Sequence, residues 1–290
     1  MIFKEITKLL NNSSLSIKNE KSTSVSRQQA KRIFSKVPEI TIYFWITKVL
    51  TTGMGEVFSD YLVKHMDPII AVALGGFGLI ALLFLQFKAR RYVAWIYWSV
   101  VVMVSIFGTM AADVVHVVIG IPYFVSTAFF ATTLALIFLI WYRVENTLSI
   151  HSIYTVQREV FYWITVLGTF ALGTAAGDLT ASGMHLGYFS SGVLFAVLLA
   201  IPAIGYWLFR FKEIFAFWFA YIMTRPVGAS FSDWVSVSHN RGGLDQGEGP
   251  VSLILTIIIV ILVGYLSITR KDVKEYEAVS DTKLSVSRDL

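Results

Sequence analysis

The chain has 290 residues, of which 56% are hydrophobic and 15% are charged, and its mean hydropathy is +0.66. Soluble domains carry about 25% charged residues, so this composition is typical of an integral membrane protein. A net charge of +5 then reflects cytoplasmic loops and tails and does not indicate nucleic-acid binding. The chain has no cysteine, which excludes disulfides, thiolate metal sites, iron–sulfur clusters and cysteine nucleophiles.

Two polar tails flank the apolar part of the chain. Residues 1–35 are polar and basic and lack the apolar core of a secretory signal, and residues 271–290 have mixed charge. Between them, eight apolar runs have the length of about 20 residues that a helix needs to cross a bilayer. The predicted fold is therefore all-α and integral to the lipid bilayer, with spans at 40–62, 68–87, 92–115, 122–141, 160–182, 189–209, 215–235 and 250–269.

The loops between these spans differ in basic residues. The loops after the second, fourth and sixth spans carry Lys88, Arg90, Arg91, Arg143, Arg158, Arg210 and Lys212. The loops on the other side carry only Lys64 and Arg241. By the positive-inside rule, both termini are predicted to lie in the cytoplasm.

Acidic residues are confined to alternate spans. The even spans contain no Asp, Glu, Lys, Arg or His, whereas every odd span contains an aspartate. A charge at the centre of a membrane helix costs roughly 2.5–3.5 kcal/mol on insertion scales and normally faces a protein interior or a wet cavity. We therefore expect the odd helices to lie inside the bundle and the even helices to face lipid.

The odd spans are four copies of one pattern. Aligned on their aspartates they read WITKVLTTGMGEVFSD, WSVVVMVSIFGTMAAD, WITVLGTFALGTAAGD and WFAYIMTRPVGASFSD. Each has tryptophan fifteen positions before the aspartate, glycine five positions before it, and a small residue directly before it. The predicted repeats are 36–91, 92–157, 158–213 and 214–270. Their shared residues are Trp45, Trp98, Trp163 and Trp218; Gly55, Gly108, Gly173 and Gly228; and Asp60, Asp113, Asp178 and Asp233.

This pattern resembles a family of uncharacterised bacterial membrane proteins with four tandem repeats, each of two transmembrane segments and a characteristic tryptophan. The resemblance covers about residues 36–270 and implies a fold and a location but no function. Two spans per repeat make the repeats parallel, which predicts a quasi-fourfold arrangement about the membrane normal. The tryptophans are interpreted as anchors at the membrane interface and the glycines as close-packing positions between helices.

The four aspartates are the main candidate site. By the repeat symmetry they lie at one depth, where they would repel one another unless a cation or proton were shared. Rings of acidic residues bind cations in channels. The competing interpretation is structural, in which each aspartate bonds to backbone or to a neighbouring helix.

A histidine follows each aspartate on the outer side: His65, His116, His185 and His239. Carboxylate and imidazole ligands together suit a divalent transition metal. The offsets of five, three, seven and six residues differ, so ordinary loop or titrating histidines remain the alternative.

Three charged residues break the fourfold pattern. Glu56 lies one turn before Asp60, where the other repeats have no acid, and Lys48 and Arg225 are equally unique. First and fourth repeats are neighbours in a closed ring, so Glu56 is predicted to pair with Arg225 or Lys48, as a structural pair or a transport gate. Pro226 is expected to kink or loosen its helix.

The sequence thus predicts a transporter or channel for a cation, either a divalent metal or a proton-coupled cation. A membrane-embedded enzyme is an alternative with little support, because no Ser/His/Asp grouping or HExxH appears. A redox or light-sensing protein, with haem on histidines or a Schiff base on Lys48, and a structural or sensory protein also remain open. The expected partners are the lipid bilayer and a small inorganic cation, and a homo-oligomer is left open. The glycine-rich outer loop SVSHNRGGLDQGEGP is interpreted as flexible, or alternatively as a mouth.

Overall fold

Eight long α-helices make up the described part of the chain. A computed structural model describes residues 35–115, 119–209 and 211–273, and within these ranges there is no β-strand. The predicted spans agree with the helices to within four residues at every end. The helices are α1 (Ile42–His65), α2 (Pro68–Lys88), α3 (Ala94–Asp113), α4 (Tyr123–Glu145), α5 (Val156–Asp178), α6 (Tyr188–Phe209), α7 (Glu213–Ser236) and α8 (Glu248–Thr269).

Six of these helices are long and apolar enough to cross a membrane: α2, α3, α4, α5, α6 and α8. The other two, α1 and α7, have 24 residues each but contain the charged residues Lys48, Glu56 and Arg225. All three side chains are buried inside the bundle, with 5% of their surface or less exposed. These three side chains therefore do not face the outer surface of the bundle.

The four odd-numbered helices form a closed ring. Helix α1 packs against α3 and α7, and α5 packs against the same two neighbours. The even-numbered helices lie outside: α2 packs on α3, α4 on α5, α6 on α7, and α8 on α1. Each outer helix thus covers the inner helix that follows it in the chain, and the last outer helix covers the first inner one.

The repeated glycines make the ring contacts. A Cβ atom added to Gly55 would lie 1.9 Å from Oγ of Ser105, so the α1 and α3 backbones touch only because no side chain is present. The same relation recurs around the ring, always with the residue eight positions before the next aspartate. The other three pairs are Gly108 with Phe170 (2.9 Å), Gly173 with Arg225 (2.4 Å), and Gly228 with Thr52 (1.9 Å).

An aromatic collar closes the ring at the end opposite the aspartates. Each repeat tryptophan follows directly after a Phe or Tyr, and that residue contacts the tryptophan of the next inner helix. Aromatic pairs at such distances stabilise a contact beyond the area that they bury. The four pairs, with ring-centroid distances, are Phe44–Trp98 (5.7 Å), Tyr97–Trp163 (5.5 Å), Tyr162–Trp218 (6.2 Å) and Phe217–Trp45 (5.7 Å).

The collar corrects the interpretation of the tryptophans as interfacial anchors. Trp98, Trp163 and Trp218 are each at least 95% buried between helices, so they pack the bundle and do not sit at its surface. The hydroxyl oxygens of Tyr97 and Tyr162 lie 2.5 Å apart within the same layer. These three tryptophans are therefore core residues at one end of the ring, and Trp45 is partly buried against the same core.

Two clusters of polar side chains below the collar attach the segments before α1 and after α8 to the bundle. Nζ of Lys36 lies 2.6 Å from a carboxylate oxygen of Glu159 on α5, and Gln86 of α2 donates to the other oxygen at 2.9 Å. Beyond α8, Asp272 is 1% exposed and accepts a hydrogen bond from Tyr92 at 2.5 Å. Burial raises the pKa of the Asp272 carboxyl, and the Tyr92 hydrogen bond opposes that shift. The second residue of the tail predicted from 271 is thus packed against the bundle, and residues 1–34 and 274–290 lie outside the described ranges.

Candidate functional site

A cavity of about 290 Å³ lies at the aspartate end of the ring. All four repeat aspartates line this acidic cavity, and Glu56 lies at its base one helical turn further in. Between the acidic side chains the wall is apolar. The acidic residues are Asp60, Asp113, Asp178, Asp233 and Glu56, and the apolar ones include Val63, Val72, Met110, Val114 and Val237.

The repeat places these carboxylates at equivalent points on the four inner helices. Asp113 and Asp178 stand where α3 and α5 pass from α-helix into a short π-helical stretch, at 114–115 and at Leu179–Gly183. Such π turns are frequent at functional sites. Asp233 is 7% exposed, and its Oδ1 has no hydrogen-bond partner among the described residues. The cavity therefore contains a buried acceptor that the described part of the chain does not satisfy.

Arg225 lies directly beneath the floor of the acidic cavity, paired with Glu56. It is fully buried, and its Nη2 donates to Glu56, Thr109 and Thr174 on the three other inner helices, the last at 2.7 Å. Glu56, Thr109 and Thr174 all stand four positions before their aspartates, and the fourth such position is Ala229 on the helix of Arg225 itself. One guanidinium thus joins all four inner helices, and Glu56 supplies its counter-charge.

Lys48 lies one layer deeper and is not paired with Glu56. Its Nζ has no hydrogen-bond partner among the described residues and lies 3.8 Å from the ring centre of Phe170 and 4.3 Å from that of Tyr221. The Arg225 guanidinium lies 5.5 Å from the same Phe170 ring. Phe170 therefore contacts both cations, as cation–π geometry allows. The sequence predicts that Glu56 pairs with Arg225 or Lys48, and the structure shows the pair with Arg225.

Charged and aromatic residues form the rim of the acidic cavity. Lys64 of α1 pairs with Glu248 at the start of α8, which ties the first and last repeats together. Arg241 lines the cavity, donates to the Tyr188 hydroxyl, and places its guanidinium 5.5 Å from the centre of the Tyr188 ring. Tyr123, at the start of α4, also lines the cavity.

The glycine-rich outer loop packs against the C-terminal end of α7. Backbone N–H groups of residues 244–247 donate to carbonyls of residues 234–237, at 2.8 to 3.1 Å. A Cβ atom on Gly243 would lie 2.2 Å from the Val237 carbonyl, so this approach requires glycine. These bonds give the loop, which the sequence analysis interprets as flexible, a defined backbone path, and Arg241 of this loop lies at the rim of the cavity. Helix α7 continues through Pro226, where the sequence predicts a kink or a loosened turn.

The structure does not bring His65, His185 or His239 to the aspartates. His65 and His239 are exposed and bond to backbone carbonyls of Tyr61 and Gly243, each at 2.8 Å, and His185 is also exposed. None of these three lines the acidic cavity. His116 lies outside the described residues. Within the described ranges, no three His, Asp or Glu residues form a group that could hold a metal ion.

Two features of the site were not predicted by the sequence analysis. The aromatic residue before each tryptophan is visible as FW, YW, YW and FW, and it marks the collar below the cavity. The residues eight positions before each aspartate, Thr52, Ser105, Phe170 and Arg225, share no residue type. Only the glycine opposite each of them indicates that they occupy equivalent places.

Comparison with known protein families agrees with this fourfold architecture. A family model described as "Repeat of Unknown Function (DUF347)" matches four successive segments, residues 43–92, 96–147, 161–211 and 216–272. The chain belongs to the DUF347 family. Each DUF347 repeat contains one inner helix and the outer helix that follows it. No curated protein and no solved structure matches the chain.

Proposed function

We propose that the protein is an integral membrane transporter or channel for a cation, and that the acidic cavity is where the cation binds. The observation that carries this proposal is the meeting of four aspartates and Glu56 around one cavity inside a ring of helices. Acidic groups in a membrane bundle face pathways for ions or protons. A purely structural role gives no reason for the same carboxylate to recur in all four repeats and to border an open space.

In this proposal all eight helices cross the membrane as four parallel repeats about the ring axis. The inner helices α1 and α7 cross it despite their charges, because the outer helices and their neighbours in the ring cover those charges. With both termini in the cytoplasm, as the basic loops indicate, the acidic cavity opens on the opposite side of a bacterial inner membrane.

The pathway below the acidic cavity is closed by Arg225 and the aromatic collar. Arg225 occupies the ring axis and bonds to all three facing helices, and the side chain of Lys48 lies beneath it. A cation that enters the cavity meets a fixed positive charge at its floor. Passage therefore requires Arg225 to leave Glu56, which gives this pair the role of a gate.

Ion flux in reconstituted vesicles tests the proposal. Asp113→Asn and Asp178→Asn keep the size of the side chain and remove one negative charge from the cavity. We expect each to lower flux of H⁺, K⁺ or Mn²⁺, measured for each ion in turn, by about tenfold or more, the effect of roughly 1.4 kcal/mol at the binding step.

The matched control is Asp245→Asn. Asp245 is an exposed acid outside the acidic cavity, in a left-handed backbone conformation that asparagine also adopts. We expect this variant to transport as the natural protein does. Flux that is equal in Asp113→Asn, Asp178→Asn and the natural protein would remove the aspartates from the pathway and contradict the proposal.

A further inference from the structure

We infer that the protein binds one phospholipid with a phosphoethanolamine headgroup in the groove between α3 and α8, at the collar end of the ring. The groove contains two cavities, a polar one that holds the headgroup and an apolar one that holds an acyl chain. This site is separate from the acidic cavity and goes beyond the proposed function. It shares with that proposal only the premise that the helices cross a membrane.

The polar cavity has a volume of about 200 Å³ and lies where α3 begins and α8 ends. Its lining includes Arg91, Arg270 and Asp272, together with Tyr92 and Ser267. Both arginines are exposed at this edge of the bundle. Guanidinium groups bind phosphate oxygens through paired hydrogen bonds, and basic pockets between membrane helices bind lipid headgroups on the cytoplasmic side. The two arginines therefore make the polar cavity suitable for a lipid phosphate.

Asp272 brings a negative charge to the same cavity. Its side chain is buried, and its Oδ2 accepts a hydrogen bond from the Tyr92 hydroxyl at 2.5 Å. Its Oδ1 is also buried and has no hydrogen-bond partner within the described ranges. A buried carboxylate oxygen without a partner is costly, and a buried negative charge calls for a positive one. An ammonium group on the ligand supplies both the hydrogen bond and the counter-charge.

The charges of the polar cavity select among phospholipid headgroups. Phosphocholine carries a positive charge but no N–H or O–H group, so it cannot donate to Asp272. Phosphoglycerol has hydroxyl donors but no positive charge. Phosphoethanolamine combines a phosphate for the arginines with an ammonium that donates to the carboxylate. It is therefore the headgroup of the three that satisfies both parts of the cavity.

The apolar cavity continues the groove along the same two helices. Its volume is about 270 Å³, and apart from two residues with hydroxyl groups its lining is apolar. On α3 it begins with Trp95, next to Ala94 of the polar cavity. On α8 it begins with Val263, one turn before Leu266 of the polar cavity. An acyl chain that leaves the headgroup along this groove thus enters apolar surroundings.

The length of the groove fits one leaflet of a bilayer. Along α3, from Ala94 to Met103, the helix rises roughly 14 Å. Along α8, from Leu266 to Thr256, it rises about 15 Å. Half of a hydrocarbon core of about 30 Å is also about 15 Å. Trp95 is 43% exposed where the two cavities meet, as is typical of tryptophan at the level of the headgroups.

Native mass spectrometry of the full-length protein in detergent tests the inference. The probes are palmitoyl-oleoyl phosphatidylethanolamine, phosphatidylglycerol and phosphatidylcholine, which share their acyl chains, and free phosphoethanolamine. We expect the ethanolamine lipid to bind at least about tenfold more tightly than the choline lipid, because choline leaves Asp272 without a donor. We expect the free headgroup to bind at least about tenfold more weakly than the lipid, because it buries no acyl chain.

Three results with the natural protein would overturn the inference. Equal affinity for the three phospholipids would show unselective lipid around the bundle. Equal affinity for the lipid and for free phosphoethanolamine would show that the apolar cavity takes no part. A dimer that retains no lipid would show that a second copy of the chain covers the groove.

Substitutions in the polar cavity test the two halves of the headgroup separately. Asp272→Asn keeps an acceptor for the Tyr92 hydroxyl and removes the charge, so we expect it to abolish the preference for ethanolamine over choline. Arg91→Gln is expected to weaken all three phospholipids by about tenfold. Asp245→Asn and Arg143→Gln change exposed residues outside both cavities and are the controls. An unchanged preference in Asp272→Asn would contradict the assignment of the ammonium.

A substitution in the apolar cavity tests the place of the acyl chain. Val260 of α8 lines this cavity and is 49% exposed, so a larger side chain there fills the groove without entering the core of the ring. We expect Val260→Phe to weaken the ethanolamine lipid by about tenfold. Val197→Phe makes the same change at an exposed valine of α6 and is the control. Equal lipid binding by Val260→Phe and Val197→Phe would overturn the inference.

Discussion

Arg225 is the residue on which the centre of the ring depends. It comes from a position where the other repeats have Thr, Ser and Phe, and it reaches the three residues that precede the other aspartates by one turn. A buried charge is tolerated only with a partner, and Glu56 is the partner here. This pair occurs once among the four repeats, and through it one side chain joins the four similar inner helices.

A double-mutant cycle tests this dependence. Arg225→Met leaves the Glu56 charge buried without its partner, and loss of one partner of a buried pair costs about 3–5 kcal/mol. We expect Arg225→Met to lower the thermal unfolding temperature in detergent more than the double variant Arg225→Met with Glu56→Gln does. Effects of the two single changes that simply add in the double variant would show that the two side chains act independently.

At the residue scale, the pair of Glu56 and Arg225 could be predicted from the sequence, but the other side chains that contact Arg225 could not. Glu56 and Arg225 stand out because opposite charges interrupt otherwise similar helices. Nothing in the residue types shows that Thr109 and Thr174 accept from the same guanidinium, since threonines are common in helices of this kind. The exposure of His65, His185 and His239 could not be predicted from the sequence either, because it depends on how the chain turns after each aspartate.

The inner helices meet through glycine, and this is the property that sets the width of the ring. Each repeat glycine faces the residue eight positions before the next aspartate, so one spacing generates all four contacts. The spacing of glycine and aspartate is visible in the sequence, and the inside position of the odd helices follows from their charges. Which outer helix covers which inner helix does not follow, because the outer helices are apolar on all sides and fit any neighbour.

Substitution of one glycine tests the role of the ring contacts. In Gly55→Ala the new methyl group would lie 1.9 Å from Oγ of Ser105, so α1 and α3 must separate. We expect a clear fall in the thermal unfolding temperature, since overpacking typically costs about 1–3 kcal/mol.

The same change on the outside of the bundle is the control. In Gly264→Ala of α8 the nearest atom, on Trp95, is 3.7 Å away, which is ordinary contact. Alanine favours helix over glycine by about 1 kcal/mol, so this variant should be as stable as the natural protein or more so. Equal destabilisation by Gly55→Ala and Gly264→Ala would argue against close packing at the repeat glycine.

The whole molecule is closed by α8, which returns from the fourth repeat to cover the inner helix of the first. The Tyr43 and Tyr265 rings of these two helices lie 5.7 Å apart, and Lys64 pairs with Glu248 at the other end. The first and last repeats are therefore as firmly joined as successive ones. The fourfold repeat is compatible with a closed ring but does not require one, because tandem repeats also form open arrays.

Cross-linking tests the closure directly, since the chain contains no cysteine of its own. We expect a short bismaleimide to join Tyr43→Cys to Tyr265→Cys within one chain, and to leave Tyr43→Cys with Tyr142→Cys unjoined. Tyr142 lies on α4, which packs on α5, and the pairs that close the ring do not include α1 with α5. Joining of both pairs with equal yield would contradict the arrangement.

Each outer helix packs on the inner helix of the following repeat, and α8 packs on α1. This arrangement has a consequence for biosynthesis. A ribosome makes α1 first, with Lys48, Glu56 and Asp60 on it, and makes α8 last. Until α7 is made, the leading helix lacks the Arg225 counter-ion of Glu56, and until α8 is made it lacks its cover. The nascent protein thus depends on shelter at the insertion machinery until translation is nearly finished, and fragments that stop before α8 should be degraded.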